Sequence, residues 1–164
     1  MEIYFLFIHL TNYHQYKINN PKMTEAEPEK VFYSYDEIDS SCRKSAKFIK
    51  DSFKPDIILA IGGGGLIPAR IIRNELNVPI YVVSLSSYDE DDKSIEEPRI
   101  VQWMDFSSFK EKRILIVDEV DDTRKTLDFL INKLTKEEGI FSTKLGVFVI
   151  HNKIKEKTVS DRHL

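Results

Sequence analysis

The chain has 164 residues, 41% of them hydrophobic, and a formal net charge of -3 at pH 7. This length and apolar content suffice for one domain with a buried core. The slightly negative charge gives no general attraction for nucleic acid, and no stretch approaches the roughly 18 apolar residues that a membrane-spanning helix needs. The single cysteine, Cys42, excludes an internal disulfide and favours a reducing cytoplasm.

Residues 1–30 differ in composition from the rest of the chain. Residues 1–10 are apolar and aromatic, but no basic segment precedes them and no small-residue cleavage site follows, so a secretory signal is not expected. The next twenty residues are polar and lack periodicity. We expect residues 1–30 to form a poorly ordered or accessory extension, with Met23 as an alternative start, and the domain to occupy residues 31–164.

The first predicted helix begins at the capping box Ser34-Tyr-Asp-Glu37, with Ser34 at the N-cap and Glu37 at N3. Apolar side chains then recur at helical spacing, namely Ile38, Cys42, Ala46, Ile49 and Phe53. Pro55 ends the pattern. The spacing places Cys42 on the buried face, where an inert thiol is expected rather than a nucleophile.

A glycine loop follows the predicted strand at residues 57–61. Its four glycines, Gly62, Gly63, Gly64 and Gly65, bury nothing and cost backbone entropy, so their position must require conformational freedom. A helix with Pro68 near its start follows them. A strand, a glycine loop and a helix N-terminus form an anion site whose backbone amides suit pyrophosphate. A flexible turn without a ligand is the alternative.

A polar stretch follows the third predicted strand, at residues 80–85. It runs from Ser86 to Pro98 and ends before Ile100. Loops of more than about 12 residues in compact domains are usually lids or disorder. We therefore expect a mobile loop here, with an acidic disordered hairpin tip as the alternative.

The apolar run Ile114-Leu-Ile-Val117 leads directly into four carboxylates, Asp118, Glu119, Asp121 and Asp122. This pattern predicts a buried strand that ends in an acidic loop. A helix follows, because apolar residues repeat at i, i+3, i+4 and i+7 from Leu127 to Leu134, with Gly139 as a stop signal. Open α/β sheets bind ligands at such strand ends.

The chemistry of this loop predicts a ribose 5-phosphate site. Amides at the helix start, near residues 123–126, suit a phosphate monoester, and Thr123 and Thr126 add hydroxyl donors. Asp118 and Glu119 suit a ribose diol and, mostly through it or through water, Mg²⁺. A Walker B strand is disfavoured because no Walker A motif accompanies it. An acidic turn without a ligand is the other alternative.

Three separated segments carry a family resemblance. The segment Val117-Asp-Glu-Val-Asp-Asp-Thr-Arg-Lys-Thr126 resembles the phosphoribosyl-pyrophosphate signature of type I phosphoribosyltransferases. The glycine segment, residues 60–70, is similar to the pyrophosphate loop of purine phosphoribosyltransferases, and a fourth predicted strand at residues 144–150 leads to Lys153. The chain most resembles fungal hypoxanthine(-guanine) phosphoribosyltransferases, from about Tyr33 to about Lys155. The resemblance implies an α/β fold, a type I phosphoribosyltransferase core whose mostly parallel sheet has helices on both faces.

The resemblance also implies an activity and a set of roles. The activity is Mg²⁺-dependent transfer of 5-phosphoribose from phosphoribosyl pyrophosphate to hypoxanthine or guanine, in a cytoplasmic homodimer. Asp122 is the implied general base, with a helix N-cap as its alternative role, and Lys153 is the implied donor to the purine 6-oxygen. The resemblance assigns 5-phosphate binding to residues 123–126, namely Thr123, Arg124, Lys125 and Thr126. It also implies a non-proline cis peptide bond within residues 62–64. Ser87 and Tyr88 are expected at the base of a loop that closes over the site.

The sequence departs from the family pattern in three places. No lysine or arginine stands at Gly62 or Gly63, Arg124 stands where most members have glycine, and the chain stops at Leu164, before the usual purine-stacking segment. These departures keep open a non-catalytic protein that binds phosphoribosyl pyrophosphate or nucleotide. A xanthine-preferring transferase is the third hypothesis, because the glycine loop and residues 86–89 also resemble bacterial xanthine-guanine enzymes.

Overall fold

The computed structural model describes residues 3–5, 32–88, 91, 93–137 and 144–153. Within these ranges the strands are β1 (Ile3–Phe5), β2 (Ile57–Ile61), β3 (Ile80–Tyr88), β4 (Ser94–Gln102), β5 (Arg113–Asp121) and β6 (Lys144–Asn152). The α-helices are α1 (Tyr35–Ser52), α2 (Leu66–Leu76) and α3 (Lys125–Asn132). A short 3₁₀ helix, Ser107–Phe109, precedes β5, and a π-helical turn, Lys133–Glu137, continues α3.

The strands form one sheet in the order β1-β6-β5-β2-β3-β4. Neighbouring strands are parallel except β3 and β4, which are antiparallel. Ala60 of β2 pairs with Val117 of β5, so the glycine loop begins beside the acidic end of β5, at the carboxyl ends of the strands. The predicted acidic loop is shorter than expected, because Asp118, Glu119 and Asp121 belong to β5 and pair with β6, and only residues 122–124 connect β5 to α3. The predicted α/β class and mostly parallel sheet are confirmed.

The core lies on both faces of this sheet, which explains why its central strands are almost continuously apolar. Helices α1 and α2 cover one face, where Ile49 and Ile72 pack with Ile58 and Leu115. Helix α3 and the 3₁₀ helix cover the other face, with a buried cluster that includes Leu127, Leu130, Ile131, Phe106 and Ile116. The predicted apolar stripe after the acidic loop is therefore confirmed.

Helix α1 begins as its sequence predicts. The Glu37 amide donates to Ser34 Oγ at 3.2 Å, and the Ser34 amide donates to Glu37 Oε2 at 2.7 Å. The helix ends at Ser52, before Pro55. Cys42 is fully buried, and this burial, aided by the charge of Asp39, raises the pKa of its thiol to about 12. The thiol is thus protonated at neutral pH, as expected for an inert cysteine.

The stretch predicted to be a long mobile loop is mostly a β-hairpin. Strand β3 continues to Tyr88 and β4 begins at Ser94, with register shifts near Ser84 and Ser86. The prediction of a loop was wrong, and the structure has the hairpin that the alternative named, because an edge strand tolerates charges and a residue without an amide hydrogen.

Part of the N-terminal extension is an accessory strand. Tyr4 of β1 pairs in parallel with Gly146 of β6. The remainder of residues 1–30, the Gly139 stop signal and residues 154–164 lie outside the described residues, so those predictions stay predictions. None of the described helices has the length and apolar character needed to cross a membrane.

Candidate functional site

A cavity of about 350 Å³ lies beyond the carboxyl ends of β5 and β6. Its walls are the end of β5, the turn after it and the first turn of α3 (residues 118–127), together with Ser87 and Tyr88 of the hairpin and with Lys153. The structure thus brings together candidate site residues that the sequence analysis named in three separate parts of the chain. The glycine loop adjoins them through Glu119.

Asp118 is the most perturbed acid in this cavity. Its side chain is buried and its Oδ1 accepts a hydrogen bond from the Glu119 amide at 2.9 Å. Burial, with smaller contributions from the carboxylates of Glu119 and Asp121, raises the pKa of Asp118 to about 9. A bound cation or hydroxyl donors would favour its ionised form.

The glycine loop is a site of close approach between two strand ends. A Cβ at Gly65 would lie 2.5 Å from the Val117 carbonyl oxygen and 2.6 Å from that of Ile61, and a Cβ at Gly64 would collide with the Glu119 carboxyl group. Gly63 has φ of 95°, which side chains rarely adopt. The predicted cis peptide is wrong, because every peptide bond in this loop is trans. The glycines provide proximity and one positive φ instead.

Helix α3 begins one residue after a left-handed turn. Arg124 is its N-cap, with φ of 69°, and the Asp128 amide donates to the Arg124 carbonyl at 2.9 Å. Amides in the first helical turn lack intrahelical partners and lie at the positive end of the helix dipole. The alternative role of Asp122 as N-cap is wrong, since the turn places the cap two residues later.

Asp122 instead lies beside the residue expected to recognise the purine. Its Oδ2 is 3.3 Å from Lys153 Nζ, with both side chains partly exposed at the cavity. The Lys153 amide donates to the Asp121 carbonyl at 3.0 Å, which fixes the end of β6 against the acidic loop. The structure therefore places an acid and an ammonium group side by side.

A buried ion pair underlies the acidic loop, and sequence reasoning missed it. Arg124 Nε and Nη2 each lie 3.0 Å from Asp121 Oδ2, and the side chains of Arg124 and Asp121 are 6% and 0% exposed. In the sequence, Asp121 is only one of four carboxylates that follow Val117. The i,i+3 spacing of opposite charges was the one signal available.

The hairpin is attached to the start of α3. Ser87 Oγ and Thr126 Oγ1 share a hydrogen bond of 3.1 Å, and Lys125 Nζ donates to the Ile95 carbonyl at 3.2 Å. Tyr88 is 56% exposed at the rim. Ser87 therefore joins β3 to the start of α3, and the Lys125 side chain is hydrogen-bonded to β4.

Comparison with known proteins matches residues 34–163 to the phosphoribosyl transferase domain family. Hypoxanthine-guanine phosphoribosyltransferase of Schizosaccharomyces pombe is 41% identical over 157 residues, which cover 80% of this chain and 76% of the relative. Xanthine phosphoribosyltransferase 1 of Saccharomyces cerevisiae is 40% identical, with 80% and 77% covered.

Solved structures show the same similarity. A hypothetical protein from Neisseria gonorrhoeae, solved with bound ppGpp, has a TM-score of 0.67 and 40% identity, with 79% of this chain and 76% of that chain covered. A purine phosphoribosyltransferase from Pyrococcus horikoshii has a TM-score of 0.63 and 27% identity, with 79% and 82% covered. The family match contains every residue that lines the cavity.

Proposed function

The chain belongs to the phosphoribosyltransferase family, and from this premise we propose that it transfers 5-phosphoribose from phosphoribosyl pyrophosphate to a 6-oxopurine. Hypoxanthine and guanine are the proposed acceptors, giving IMP or GMP and pyrophosphate. The observation that carries the proposal is the arrangement around one cavity of an acidic strand end, a helix N-terminus and an acid–ammonium pair.

The proposed 5-phosphate site is the start of α3. A phosphate monoester there would accept hydrogen bonds from first-turn amides and benefit from the helix dipole. Thr123 and Thr126 line the cavity at this point, and the bond between Thr126 and Ser87 orients the Thr126 hydroxyl. The position requires no charged side chain, because the backbone supplies the donors.

The proposed ribose site is formed by Asp118 and Glu119. Their carboxylates can accept from the two ribose hydroxyls, which would lower the raised pKa of Asp118 toward its ordinary range. The Glu119 carboxyl group contacts Gly64, so this site adjoins the glycine loop. We assign pyrophosphate to that loop and to the start of α2, where backbone amides are the available donors.

The residues present fit Mg²⁺ as a partner that the substrate mainly holds. No group of three or more metal-ligating side chains occurs among the described residues, yet Asp118 and Glu119 offer hard carboxylate oxygens beside the cavity. Mg²⁺ commonly binds through one or two carboxylates together with substrate phosphates and water. Its contribution would be neutralisation of charge on the pyrophosphate leaving group.

The acid–ammonium pair matches one edge of a 6-oxopurine. Atoms N7 and O6 lie next to each other on that edge. The Asp122 carboxylate can accept the N7 proton while Lys153, 3.3 Å away, donates to O6. Adenine carries an amino group at this position, so it would face the Lys153 ammonium with donors against donors.

The chemistry follows from these positions. The C1–O bond to pyrophosphate breaks as the C1–N9 bond forms, through an oxocarbenium-like sugar, and Asp122 takes the N7 proton as general base. The protein supplies orientation and electrostatic stabilisation rather than a nucleophile.

Xanthine is the second candidate acceptor, because xanthine phosphoribosyltransferase 1 of Saccharomyces cerevisiae is 40% identical to this chain. Xanthine shares N7 and O6 with hypoxanthine and guanine, and the three bases differ at C2. The pair of Asp122 and Lys153 therefore rejects adenine but does not separate these three. Cytoplasmic location and the homodimer stay predictions.

A spectrophotometric assay tests the proposal. The full chain is incubated with phosphoribosyl pyrophosphate, Mg²⁺ and hypoxanthine, guanine or xanthine, with adenine as the matched control. We expect turnover of 6-oxopurines and none of adenine, and the kcat/KM ratios rank the bases. If no base is turned over but calorimetry shows that phosphoribosyl pyrophosphate binds, the alternative of a non-catalytic binding protein would be supported instead. Absence of both would contradict the site.

A further inference from the structure

Arg124 has an unusual backbone conformation for a buried arginine. Four non-glycine residues in the described ranges have positive φ, and three of them, Lys54, Asn77 and Glu111, are exposed. Arg124 has φ of 69° and its side chain is buried. The left-handed conformation costs free energy in any residue with a Cβ. Some other interaction must therefore hold Arg124 in it.

The ion pair with Asp121 is an interaction of this kind. Both nitrogens of the contact lie 3.0 Å from Asp121 Oδ2. Asp121 itself is the last residue of β5, pairs with Asn152 of β6 and accepts the Lys153 amide. The guanidinium is thus bonded to a carboxylate that the sheet holds in place. Hydrogen bonds between ionised groups with little water access are strong and directional.

We propose that Arg124 is a positioning residue for the 5-phosphate. Its pairing with Asp121 fixes the left-handed turn between Thr123 and Lys125, so that the first amides of α3 face the cavity before the ligand arrives. The inference rests on the 5-phosphate site proposed above. Pre-arranged donors bind a ligand more tightly because less ordering is required on binding.

Three substitutions separate positioning from direct contact. Arg124→Ala keeps the cost of a Cβ in the left-handed turn and removes the ion pair. Arg124→Gly removes both, because glycine adopts this conformation readily. Asp121→Asn keeps the shape of the partner and removes its charge. If Arg124 acts through the backbone, glycine restores what alanine loses; if the guanidinium contacts the phosphate, both variants lose it equally.

The experiment measures the Kd of phosphoribosyl pyrophosphate by calorimetry, and the KM of hypoxanthine, for the full chain and each variant. We expect Arg124→Ala and Asp121→Asn to raise this Kd about tenfold and Arg124→Gly to raise it no more than about threefold, with the hypoxanthine KM little changed. The exposed ion pair of Arg43 and Asp39 on α1 provides the control, and Arg43→Ala should not alter the Kd. Equal losses in Arg124→Ala and Arg124→Gly, or no loss in either, would overturn the inference.

A readout without ligand keeps the inference separate from the proposed function. Exchange of the Asp128 amide hydrogen, which is bonded to the Arg124 carbonyl, should be faster in Arg124→Ala and Asp121→Asn than in Arg124→Gly. If the wild type binds no phosphoribosyl pyrophosphate, the proposed function fails, while this exchange pattern still supports a fixed turn. Unchanged exchange in all three variants would overturn it. Thermal melting identifies any variant that does not fold, and the remaining variants then carry the comparison.

Discussion

Gly65 provides the sharpest test of how the two strand ends are packed. In Gly65→Ala the new Cβ would lie 2.5 Å and 2.6 Å from the carbonyl oxygens of Val117 and Ile61, about half an ångström inside the shortest separation that real Cβ atoms show. Neither oxygen can rotate away, because both belong to the backbone of adjacent central strands. Relief requires a backbone shift, either of the start of α2, whose N-cap is Gly65, or of the ends of β2 and β5, so the cost of overpacking is about 3 kcal/mol.

The assay is thermal unfolding measured by differential scanning calorimetry, with alanine variants of the neighbouring glycines as matched controls. For a chain of this size about 3 kcal/mol corresponds to a melting temperature lower by about 6–12 °C. Gly64→Ala meets only the flexible, exposed end of Glu119, which can swing away. It should therefore stay within about 1 kcal/mol of wild type while weakening the binding of phosphoribosyl pyrophosphate. Gly63→Ala meets nothing, and its positive φ should cost about 1–2 kcal/mol. A Gly65→Ala protein that melts within about 2 °C of wild type would refute the packing argument.

Three further predictions concern single side chains. Asp122→Asn should lower kcat by about 10²–10⁴-fold with little change in melting temperature, as expected for loss of a general base; unchanged kcat would exclude that role. The Arg113 guanidinium, which hydrogen-bonds Asp56, lowers the pKa of that carboxyl, so its stabilisation is present at neutral pH and is lost as pH falls through the lowered pKa. In urea unfolding at pH 7, Asp56→Asn should have a free energy of unfolding at most about 1 kcal/mol below that of wild type, since the ion pair is partly exposed. This difference should shrink well below about pH 4, the ordinary range of a carboxyl pKa. A difference of the same size at that pH would contradict the pairing. Burial raises the pKa of the Cys42 thiol to about 12, so Cys42 should react with a disulfide reagent at pH 8 only when the protein unfolds. Rapid labelling of the folded protein would show that the thiol is accessible and would contradict this prediction.

The sequence predicted well where a signal is local. The capping box at Ser34 and the stripe beginning at Leu127 depend on neighbours within one helix, and both are confirmed. The acidic segment after Val117 and the glycine loop after Ile61 could be predicted to lie together because each follows an apolar strand and the ends of parallel strands share an edge of the sheet. The sequence did not show that β5 continues to Asp121.

Features decided by distant residues were predicted poorly. Residues 94–98 became part of a strand because β3 supplies the partner, which no local composition reveals. The start of α3 moved from Asp122 to Arg124 because a buried ion pair stabilises a conformation that arginine disfavours by itself. The glycines are required by close approach to Val117 and Glu119, which are distant in sequence, and not by the predicted cis bond.

The pairing of β1 with β6 has a consequence for how the sheet assembles. The ribosome synthesises the chain from the N-terminus, so Ile3–Phe5 leaves the ribosome long before the residues of β6 with which it pairs, which begin at Leu145. Until then β1 has no neighbour in the sheet, and contacts so distant in sequence slow folding. The unpaired edge of β6 is covered only when both segments meet. A chain released before β6 would therefore expose the edge of β5 and lack the strand end that carries Lys153, so completion of the sheet and completion of the cavity occur together.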